Sequence, residues 1–489
     1  MAKGTTGLFA KGDNTFPESA VVQTAIWAKQ TGRIYPGLDA SPYTPAPYGP
    51  LFYVGLTVLA KAGSFNFDGL LVAGRVLSFA VYLLVVIATY RWERRYMRVG
   101  IALLAPALVL AQIDFVDWNV TVRPDLPALG LTIAAFLFLT EKQLSWKHVI
   151  AAGALCGLAG AVKQSFLALP IAAALWLVWS RGLRWAAVFT ASAVAAGGTV
   201  VGILAAQHEP FLQEMLLARY SPTSVAGGLQ LLKSDFLHYP LQIAIAGLAV
   251  LGLKWMSPDK SRDLRALLMI YFVLAWLVSF YTAMAPGANV NAFLEAWVIT
   301  SLIAPFAISP LAEHWNELYV AGRGLLIVMW LSLAIVALEG WRIVLSVPPA
   351  SSEKLAQLAV GRRVLTDFPY VAAHSSKPEL MDPSVNHYLE LARHWSSKPV
   401  LDEVESQEFD FIIVGESGGR PRSWRGLTLF SGSILRDVEK EYRLFCRADR
   451  FAVYVPEKRE LTPPVDGTAF AQAGCRPVAA SHQLSASLL

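Results

Sequence analysis

Four short polar islands interrupt a mostly apolar chain, and their side chains could carry out chemistry. They are Pro17-Glu18-Ser19, Arg123-Pro124-Asp125, Lys163-Gln164-Ser165 and the stretch from Ala285 to Glu295, whose loop covers residues 286–291. Apolar runs adjoin these islands, at the depth where a membrane helix would begin. Polar groups at that depth are costly unless they are paired or face water, so they are functional candidates by default. We predict that all four islands lie on one face of a membrane and form one site.

The side-chain types in these islands suggest three roles. The carboxylates of Glu18 and Asp125 could act as a general base. The structural alternatives to catalysis are a favourable charge at a helix N-terminus for Glu18 and helix capping for Asp125. Cations near the same face could neutralise an anionic leaving group, and polar side chains could bind hydroxyl groups of a ligand. The residues assigned to substrate binding are Arg75, Arg123, Lys163, Gln164, Asn289, Asn291 and Glu295.

Some of these residues also have structural explanations that the sequence leaves open. Arg75 and Lys163 could extend towards the membrane surface as long cationic side chains near helix ends commonly do. Glu295 could pair with an arginine and hold its loop instead of contacting substrate. Asp114 and Asp117 form an Asp-x-x-Asp pair that could hold a divalent cation or lie in a solvated loop. No cofactor is predicted beyond that possible cation.

The composition indicates a membrane protein with many spans. Of 489 residues, 55% are hydrophobic and 16% are charged, whereas soluble chains are about 25% charged. The net charge of +5 gives no argument for nucleic-acid binding, and three cysteines cannot form a zinc pattern. Walker and Gly-x-Gly-x-x-Gly motifs are absent from the sequence, so ATP-driven transport and redox cofactors gain no support.

The hydropathy pattern divides the chain into three regions. Residues 1–69 are expected to form a first outer loop, with an amphipathic helix over 17–35 and a short interfacial helix from Pro50 to about Ala62. No spanning helix precedes Glu18, so we expect the native gene to encode about 20 more apolar residues upstream. Residues 70–347 hold ten charge-free span cores: 76–90, 99–113, 126–140, 149–162, 164–180, 185–206, 239–253, 266–283, 296–312 and 324–338. The pair 149–162 and 164–180 is predicted to be two spans, with Lys163 at the turn.

The distribution of basic residues predicts the orientation. Loops 91–98, 141–148, 181–184, 254–265 and 313–323 carry thirteen Lys and Arg, whereas the alternate loops carry four. The positive-inside rule places the first set in the cytoplasm. All four islands and the tail after Val347 are then extracytoplasmic.

The tail over 348–489 is richer in charge and is predicted to be a small α/β domain with a disordered end. Short apolar strands are expected at 363–367, 409–414 and 451–455, and helices at 353–361 and 384–395. Cys446 and Cys475 share this oxidising side and could pair, unless Cys475 belongs to the disordered end.

The order of these motifs resembles the GT-C superfamily of polytopic glycosyltransferases, which use polyprenyl-phosphate sugars. The resemblance covers about residues 14–345. It rests on Glu18 before an amphipathic helix, Tyr48-Gly49-Pro50-Leu51-Phe52-Tyr53, Gly74-Arg75, Arg123-Pro124-Asp125, Lys163-Gln164 and the segment from Asn289 to Glu295. The nearest groups are the protein O-mannosyltransferases, the aminoarabinose transferases and the lipopolysaccharide-core galacturonosyltransferases. Many members carry Asp-Glu in the first loop, where this chain has Pro17-Glu18.

The resemblance implies an α-helical polytopic membrane fold with an extracytoplasmic site. It implies a hexosyl- or pentosyltransferase that moves sugar from a polyprenyl phosphate to an extracytoplasmic glycan, lipid or protein, in a bacterial inner membrane. Glu18 or Asp125 would then take the acceptor proton, and transfer would invert the anomeric carbon. Two other classes remain: a transporter or flippase of lipid-linked sugars, which would predict inverted repeats, and a membrane scaffold, which leaves the polar islands unexplained.

Overall fold

The computed structural model describes most of the chain. The described residues are 7–14, 18–35, 37, 45–112, 118–207, 211–215, 223–238, 240–256, 258–285, 288–313, 338, 351–376, 383–417, 420–421, 423–424, 427–448, 450–460, 467–472 and 474–477. Within them, an apolar helical bundle is followed by a small α/β domain. The predicted span 324–338 falls almost entirely outside these residues, and the expected disordered end of the tail lies outside them too.

The first region contains the two predicted helices, α1 at Glu18–Thr31 and α2 at Pro50–Ala62. Proline suits the first position of α2 because its fixed φ is helical and its missing N–H would have no helical partner. The two helices pack against each other. Helix α1 is more deeply buried than an amphipathic surface helix would be, since even its Gln23 is only 8% exposed.

The bundle begins with seven helices. Asn66 caps the first of them by accepting a hydrogen bond from the Gly69 N–H at 2.9 Å. The helices are α3 at Phe67–Glu93, α4 at Val99–Ala102, α5 at Leu104–Ala111, α6 at Asp125–Leu139, α7 at Trp146–Val162, α8 at Ala168–Arg181 and α9 at Leu183–Ala206. The break between α7 and α8 begins at Lys163, so the predicted division into two helices at this residue is confirmed.

The second half of the bundle surrounds a short 3₁₀ turn. Its helices are α10 at Phe211–Met215, α11 at Val225–His238, α12 at Pro240–Trp255, α13 at Pro258–Ala283, the 3₁₀ turn at Val290–Phe293, α14 at Leu294–Ile303 and α15 at Pro305–Glu313. Four described segments are long and apolar enough to cross a membrane: Phe67–Glu93, Leu183–Ala206, Arg262–Ala283 and Val290–Pro310.

Two predicted spans are interrupted where prolines occur. The span core 99–113 is divided into α4 and α5 at Leu103, and Pro106 follows in the first turn of α5. The core 296–312 is divided into α14 and α15 at Ala304, directly before Pro305. Proline lacks the N–H for a helical hydrogen bond and its ring clashes with the preceding turn, which explains these interruptions.

The C-terminal domain is built on a mixed sheet. The strands of the domain are β1 at Val364–Thr366, β2 at Phe411–Ser417, β3 at Arg420–Pro421, β4 at Ser423–Trp424, β5 at Leu427–Thr428, β6 at Tyr442–Ala448, β7 at Phe451–Pro456 and β8 at Arg476–Pro477. Strands β4 and β5 pair with each other in a separate two-stranded sheet. The main order is β1-β2-β7-β6-β8, with β1 parallel to β2 and the other neighbours antiparallel. Strands β1, β2 and β7 confirm the three predicted strands, whereas β6 and β8 were not predicted.

Six helices complete this domain and cover both faces of the sheet with separate apolar clusters. They are α16 at Ser351–Ala359, α17 at Pro369–Ala372, α18 at Pro383–Leu391, α19 at Lys398–Glu405, α20 at Gly432–Glu441 and α21 at Gly467–Gln472. Helices α16 and α18 correspond to the predicted helices at 353–361 and 384–395.

The C-terminal domain contacts the bundle beside the start of α3. The Tyr370 hydroxyl donates to Asp68 Oδ1 at 3.1 Å, and His374 Nε2 lies 3.4 Å from Asp68 Oδ2. Lys11 of the first region pairs with Glu353 of α16 at 2.5 Å. The interaction with Asp68 raises the pKa of His374. The domain is therefore held against the same region that carries Glu18.

Cys446 and Cys475 form a disulfide that joins β6 to the segment before β8 across 29 residues. The pairing that the sequence left open is thus present. We predict that Cys475→Ser lowers the unfolding free energy of this domain by roughly 3–4 kcal/mol, because the bridge closes a loop of about 30 residues in the unfolded chain. Thermal unfolding with and without reductant measures the effect.

Cys156→Ser is the matched control, since Cys156 is a buried free thiol in α7. The control should keep the parental sensitivity to reductant, and Cys475→Ser should lose it. Full alkylation of Cys446 and Cys475 in the folded, unreduced protein would contradict the bridge.

Candidate active site

Asp125, at the start of α6, is surrounded by side chains from three of the polar islands. Its Oδ1 accepts hydrogen bonds from Lys163 Nζ at 2.5 Å and from Asn291 Nδ2 at 2.7 Å. Its Oδ2 lies 3.9 Å from Arg123 Nε and accepts no hydrogen bond from the described residues. The carboxylate is only 1% exposed. Residues far apart in the sequence therefore converge on one buried charge.

Breaks in the helices place these side chains. Lys163 follows α7 with extended backbone angles, φ −147° and ψ 115°, so its side chain leaves the helix direction. Asn291 lies in the 3₁₀ turn. The first N–H of this turn, that of Val290, donates a hydrogen bond to the Asn289 side chain at 2.8 Å. Asn289 is thus a cap of the turn, and the Asp125 contact is made by Asn291.

The guanidinium group of Arg123 is a second cation beside Asp125. Its guanidinium carbon is 5.1 Å from the Tyr48 ring centroid and 5.3 Å from that of Trp118. Guanidinium groups are attracted to aromatic faces, because the faces carry negative electrostatic potential. The two rings therefore hold the charge of Arg123 next to that of Lys163.

Glu18 and Arg75 form a buried ion pair beside this cluster. Arg75 Nε and Nη2 donate to the Glu18 carboxylate at 2.9 and 2.7 Å, and both side chains are fully buried. Arg75 Nη1 and Nη2 also donate to the carbonyl oxygens of Ala10 and Gly12, at 2.5 Å each. The pair therefore attaches the chain before α1 to α3.

The Glu18 carboxylate also receives two backbone hydrogen bonds. The Val122 N–H donates to it at 2.7 Å and the Asn14 N–H at 2.9 Å. Val122 immediately precedes Arg123, so Glu18 links the first island to the second. With four donors on its two oxygens, Glu18 is placed as an anchor.

Gln164 connects the first loop to α10, next to Lys163. Its Nε2 donates to the carbonyl oxygens of Pro47 at 2.8 Å and Met215 at 3.2 Å, while its buried Oε1 has no hydrogen-bond partner among the described residues. The fully buried Glu214 makes the same connection, because from α10 it accepts from the N–H groups of Gly37 at 2.8 Å and Ala46 at 2.7 Å in the first loop. Sequence reasoning missed Glu214, since nothing in its neighbourhood distinguishes it from a surface acid.

Asp13 is a second carboxylate that sequence reasoning missed. It is partly exposed, and its Oδ1 accepts the Ser19 N–H in the first turn of α1 at 2.5 Å. Burial, and then the nearby charge of Glu18, raise the pKa of Asp13 to about 6. The available signal was an acid five residues before Glu18, in the predicted first outer loop.

Glu295 lies on the other side of the Asp125 cluster, in the first turn of α14. It accepts a hydrogen bond from the Tyr271 hydroxyl at 3.0 Å. The backbone of Leu169, in the first turn of α8, lies close to the same carboxylate. Glu295 and Asn291 line a small polar cavity together with Lys163. Glu295 therefore faces the same site without contacting Asp125.

The possible metal ligands are not placed by the structure. Asp114 and Asp117 lie outside the described residues. The part of the chain that is described contains no group of three or more His, Cys, Asp or Glu side chains arranged to hold a metal ion.

The chain is similar to known glycosyltransferases in part of its sequence and in its fold. The sequence model of the family described as dolichyl-phosphate-mannose-protein mannosyltransferase matches residues 60–206. That match and the structural similarities below confirm the resemblance to GT-C glycosyltransferases.

Two solved proteins illustrate the similarity. ArnT from Cupriavidus metallidurans bound to undecaprenyl phosphate is 13% identical with a TM-score of 0.59, over 91% of this chain and 95% of that one. The Archaeoglobus fulgidus oligosaccharyltransferase tethered to an acceptor peptide is 12% identical with a TM-score of 0.53, over 92% of this chain and 70% of that one. No curated protein sequence matches the chain. At these identities the structural matches establish the shared fold.

The buried Glu18–Arg75 pair gives a prediction about stability. We expect Arg75→Met to destabilise the protein by about 3–5 kcal/mol, because it leaves a buried carboxylate without its counter-ion. The double variant Arg75→Met/Glu18→Leu should recover part of the loss. Unfolding of the purified protein in detergent, followed by temperature or denaturant, measures these differences.

Arg95→Gln is the control, since the Arg95–Glu141 pair has a similar distance of 2.6 Å but is partly exposed. Exposed pairs contribute about 0–1 kcal/mol. Equal stability of Arg75→Met and Arg95→Gln would show that the buried pair does not anchor the first region.

Proposed function

We propose that the protein is a membrane glycosyltransferase that moves a sugar from a polyprenyl phosphate to an extracytoplasmic acceptor. The observation that carries the proposal is the cluster of Lys163, Arg123 and Asn291 around Asp125, within a GT-C fold. The positive-inside argument supports a position of this cluster on the outer face of the membrane, and the family resemblance suggests that the membrane is a bacterial inner membrane. The acceptor is a glycan, a lipid or a protein, and the transferred sugar is a hexose or a pentose.

The cations supply what the leaving group requires. When the acceptor oxygen attacks the anomeric carbon, the bond between that carbon and the phosphate oxygen breaks, and polyprenyl phosphate leaves with increased negative charge. Lys163 and Arg123 can neutralise this charge in a site screened from water, where such interactions are stronger. The similarity to ArnT supports this assignment, because that protein was crystallised with undecaprenyl phosphate.

A carboxylate must take the acceptor proton. Asp125 fits through Oδ2, which has no hydrogen bond from the described residues. Asp13 fits because it is partly exposed and its pKa of about 6 lies near a working pH, which favours general-base catalysis. Glu18 fits less well, since both of its oxygens already accept two hydrogen bonds.

Gln164 and Asn291 are suited to binding sugar hydroxyls. Gln164 Oε1 accepts no hydrogen bond from the described residues, and Asn291 lines the cavity beside Lys163. A single carboxylate base without a covalent sugar–enzyme intermediate implies inversion at the anomeric carbon. The proposed function is tested by incubating the purified protein with polyprenyl-phosphate sugars and acceptor, and following sugar release and the anomeric configuration of the product. Absence of release with every donor and acceptor would contradict the proposal.

Variants at the three carboxylates identify the base. We expect Asp125→Asn or Asp13→Asn to reduce kcat by about 10²–10⁴-fold, the usual contribution of a general base. Glu18→Gln should mainly lower stability. If Asp13 is the base, kcat/KM of the parent should fall as pH decreases below about 6, because protonated Asp13 cannot accept a proton, and Asp13→Asn should lose that decline.

Asp263→Asn is the control for these variants, since Asp263 is exposed on the predicted cytoplasmic loop. It should leave kcat unchanged. If Asp125→Asn and Asp13→Asn both kept the parental kcat, neither residue would be the general base.

Lys163→Ala should instead weaken donor binding. The lysine can contact the phosphate in both the ground and transition states, so its loss should raise KM more than it lowers kcat. Binding of polyprenyl phosphate to the purified variant provides a direct measurement. Lys233→Ala, at an exposed lysine of α11, is the matched control. Equal donor affinity in the two variants would remove Lys163 from the phosphate site.

A further inference from the structure

Glu214 is a fully buried acid in α10 that the proposed mechanism does not use. Each oxygen of its carboxylate accepts one backbone hydrogen bond from the first loop, from the Gly37 N–H at 2.8 Å and from the Ala46 N–H at 2.7 Å. The two donors are separated in the sequence by residues 38–45. One side chain therefore fixes two separate points of the first loop to α10.

A second contact on the same face of α10 supports this attachment. Phe211 and Glu214 are three residues apart, so they share one helix face, and Phe211 is also buried. The Phe211 ring centroid lies 6.0 Å from that of Tyr35, two residues before Gly37. Gly37 has a φ of +89°, which glycine adopts without strain. Ring packing at Tyr35 and the hydrogen bond at Gly37 thus act together.

A short and stiff piece of chain connects Ala46 to the site. Pro45 and Pro47 flank Ala46; proline has a fixed φ, and a residue before proline is restricted to extended conformations. The Pro47 carbonyl oxygen also accepts a hydrogen bond from Gln164 Nε2 at 2.8 Å. Because few backbone angles are free here, a displacement of the Ala46 N–H moves Tyr48 as well.

Tyr48 and Gly49 bring this chain against both cations of the site. The Tyr48 ring centroid is 5.1 Å from the guanidinium carbon of Arg123. Gly49 packs on the end of α7, just before Lys163, where an added Cβ would lie 2.1 Å from the Ala161 carbonyl oxygen. Attraction between a cation and an aromatic face depends on the position of the ring. The first loop therefore influences where the Arg123 guanidinium lies relative to Lys163.

We propose that Glu214 is a positioning residue for the phosphate site, and that it acts through Ala46 and Tyr48 on Arg123. The inference rests on the proposed function, because it takes Arg123 to be a phosphate ligand. Glu214 contacts no part of the donor. Its carboxylate keeps the Tyr48 ring beside Arg123, so that the guanidinium stays next to Lys163. Loss of the carboxylate should leave the Arg123 charge in the protein but reduce its contribution to phosphate binding.

The test measures binding of polyprenyl phosphate to the purified full-length protein, so it does not require turnover. Glu214→Gln replaces one acceptor oxygen by an NH₂ group, which cannot accept from a loop N–H. We expect it to weaken binding by about tenfold, within the range of coupling between residues of one network. In an Arg123→Ala background the same substitution should weaken binding by less than about twofold, because the group through which Glu214 acts is gone. Glu214→Asp keeps both acceptor oxygens and should recover part of the affinity.

Asp367→Asn is the matched control. Asp367 is also a buried acid that accepts a backbone hydrogen bond, from the Gly415 N–H at 2.7 Å, but it lies after β1 in the C-terminal domain. Its substitution should leave the dissociation constant of polyprenyl phosphate unchanged, both in the parent and in the Arg123→Ala background.

Two results would overturn the inference while leaving the proposed function intact. One is unchanged binding in Glu214→Gln, and the other is an equal loss in the parent and in the Arg123→Ala background, which would show a general structural role. If Glu214→Gln does not fold, Tyr48→Leu removes the ring beside Arg123 and is measured in the same two backgrounds, where an equal loss is again the contrary result.

The same measurement separates this inference from the proposed function. A parent protein that does not bind polyprenyl phosphate would contradict both. Binding that depends on Glu214 only when Arg123 is present, without turnover of any donor, would support the positioning role and contradict the proposed reaction.

Discussion

The burial of Asp125 is the constraint on which the site depends. A carboxylate that is 1% exposed within an apolar bundle must be compensated by nearby charge and hydrogen bonds. Lys163 and Asn291 supply these from segments that are 38 and 166 residues away in the sequence. Both donors lie outside regular α-helix: Lys163 has extended backbone angles after α7, and Asn291 lies in the 3₁₀ turn before α14.

The surrounding structure restricts the movement of this cluster. Glu18 and Arg75 bind the first region to α3 and to the backbone at Val122, one residue before Arg123. On the opposite side, Gln164 and Glu214 connect the first loop to α10. Polar groups at these positions each satisfy backbone atoms that would otherwise be buried without partners. The fold thus uses charged residues in two ways: some attach loops, and others remain next to a cavity.

The sequence predicted the architecture well because the relevant signals are local. Charge-free apolar segments predicted most of the bundle helices, short apolar runs predicted three strands of the C-terminal sheet, and Lys163 between two apolar segments marked a helix boundary. The prolines at 106 and 305 were visible, but their effect on the spans was not predicted. Strand β6 was missed because Tyr442–Ala448 contains two arginines, Arg443 and Arg447, which obscure its alternation.

The individual site residues were predicted less completely, because their partners are distant in the chain. Glu18 and Arg75 were both identified, but their pairing across 57 residues has no local pattern. Asp13 and Glu214 looked like ordinary loop acids until the structure placed them beside α1 and the first loop. Asn289 and Asn291 have the same residue type and nearly the same position, yet the first caps a 3₁₀ turn and the second contacts Asp125.

The central claim is that a lipid-linked phosphate binds at Lys163 and Arg123, beside Asp125. A cryo-electron microscopy structure of the protein in a lipid nanodisc with polyprenyl phosphate tests it most directly. The account predicts phosphate density within hydrogen-bonding distance of Lys163 Nζ and the Arg123 guanidinium, on the face of the bundle that carries Glu18. Phosphate density at the opposite face, with the Asp125–Lys163 contact unchanged at saturating lipid, would contradict it.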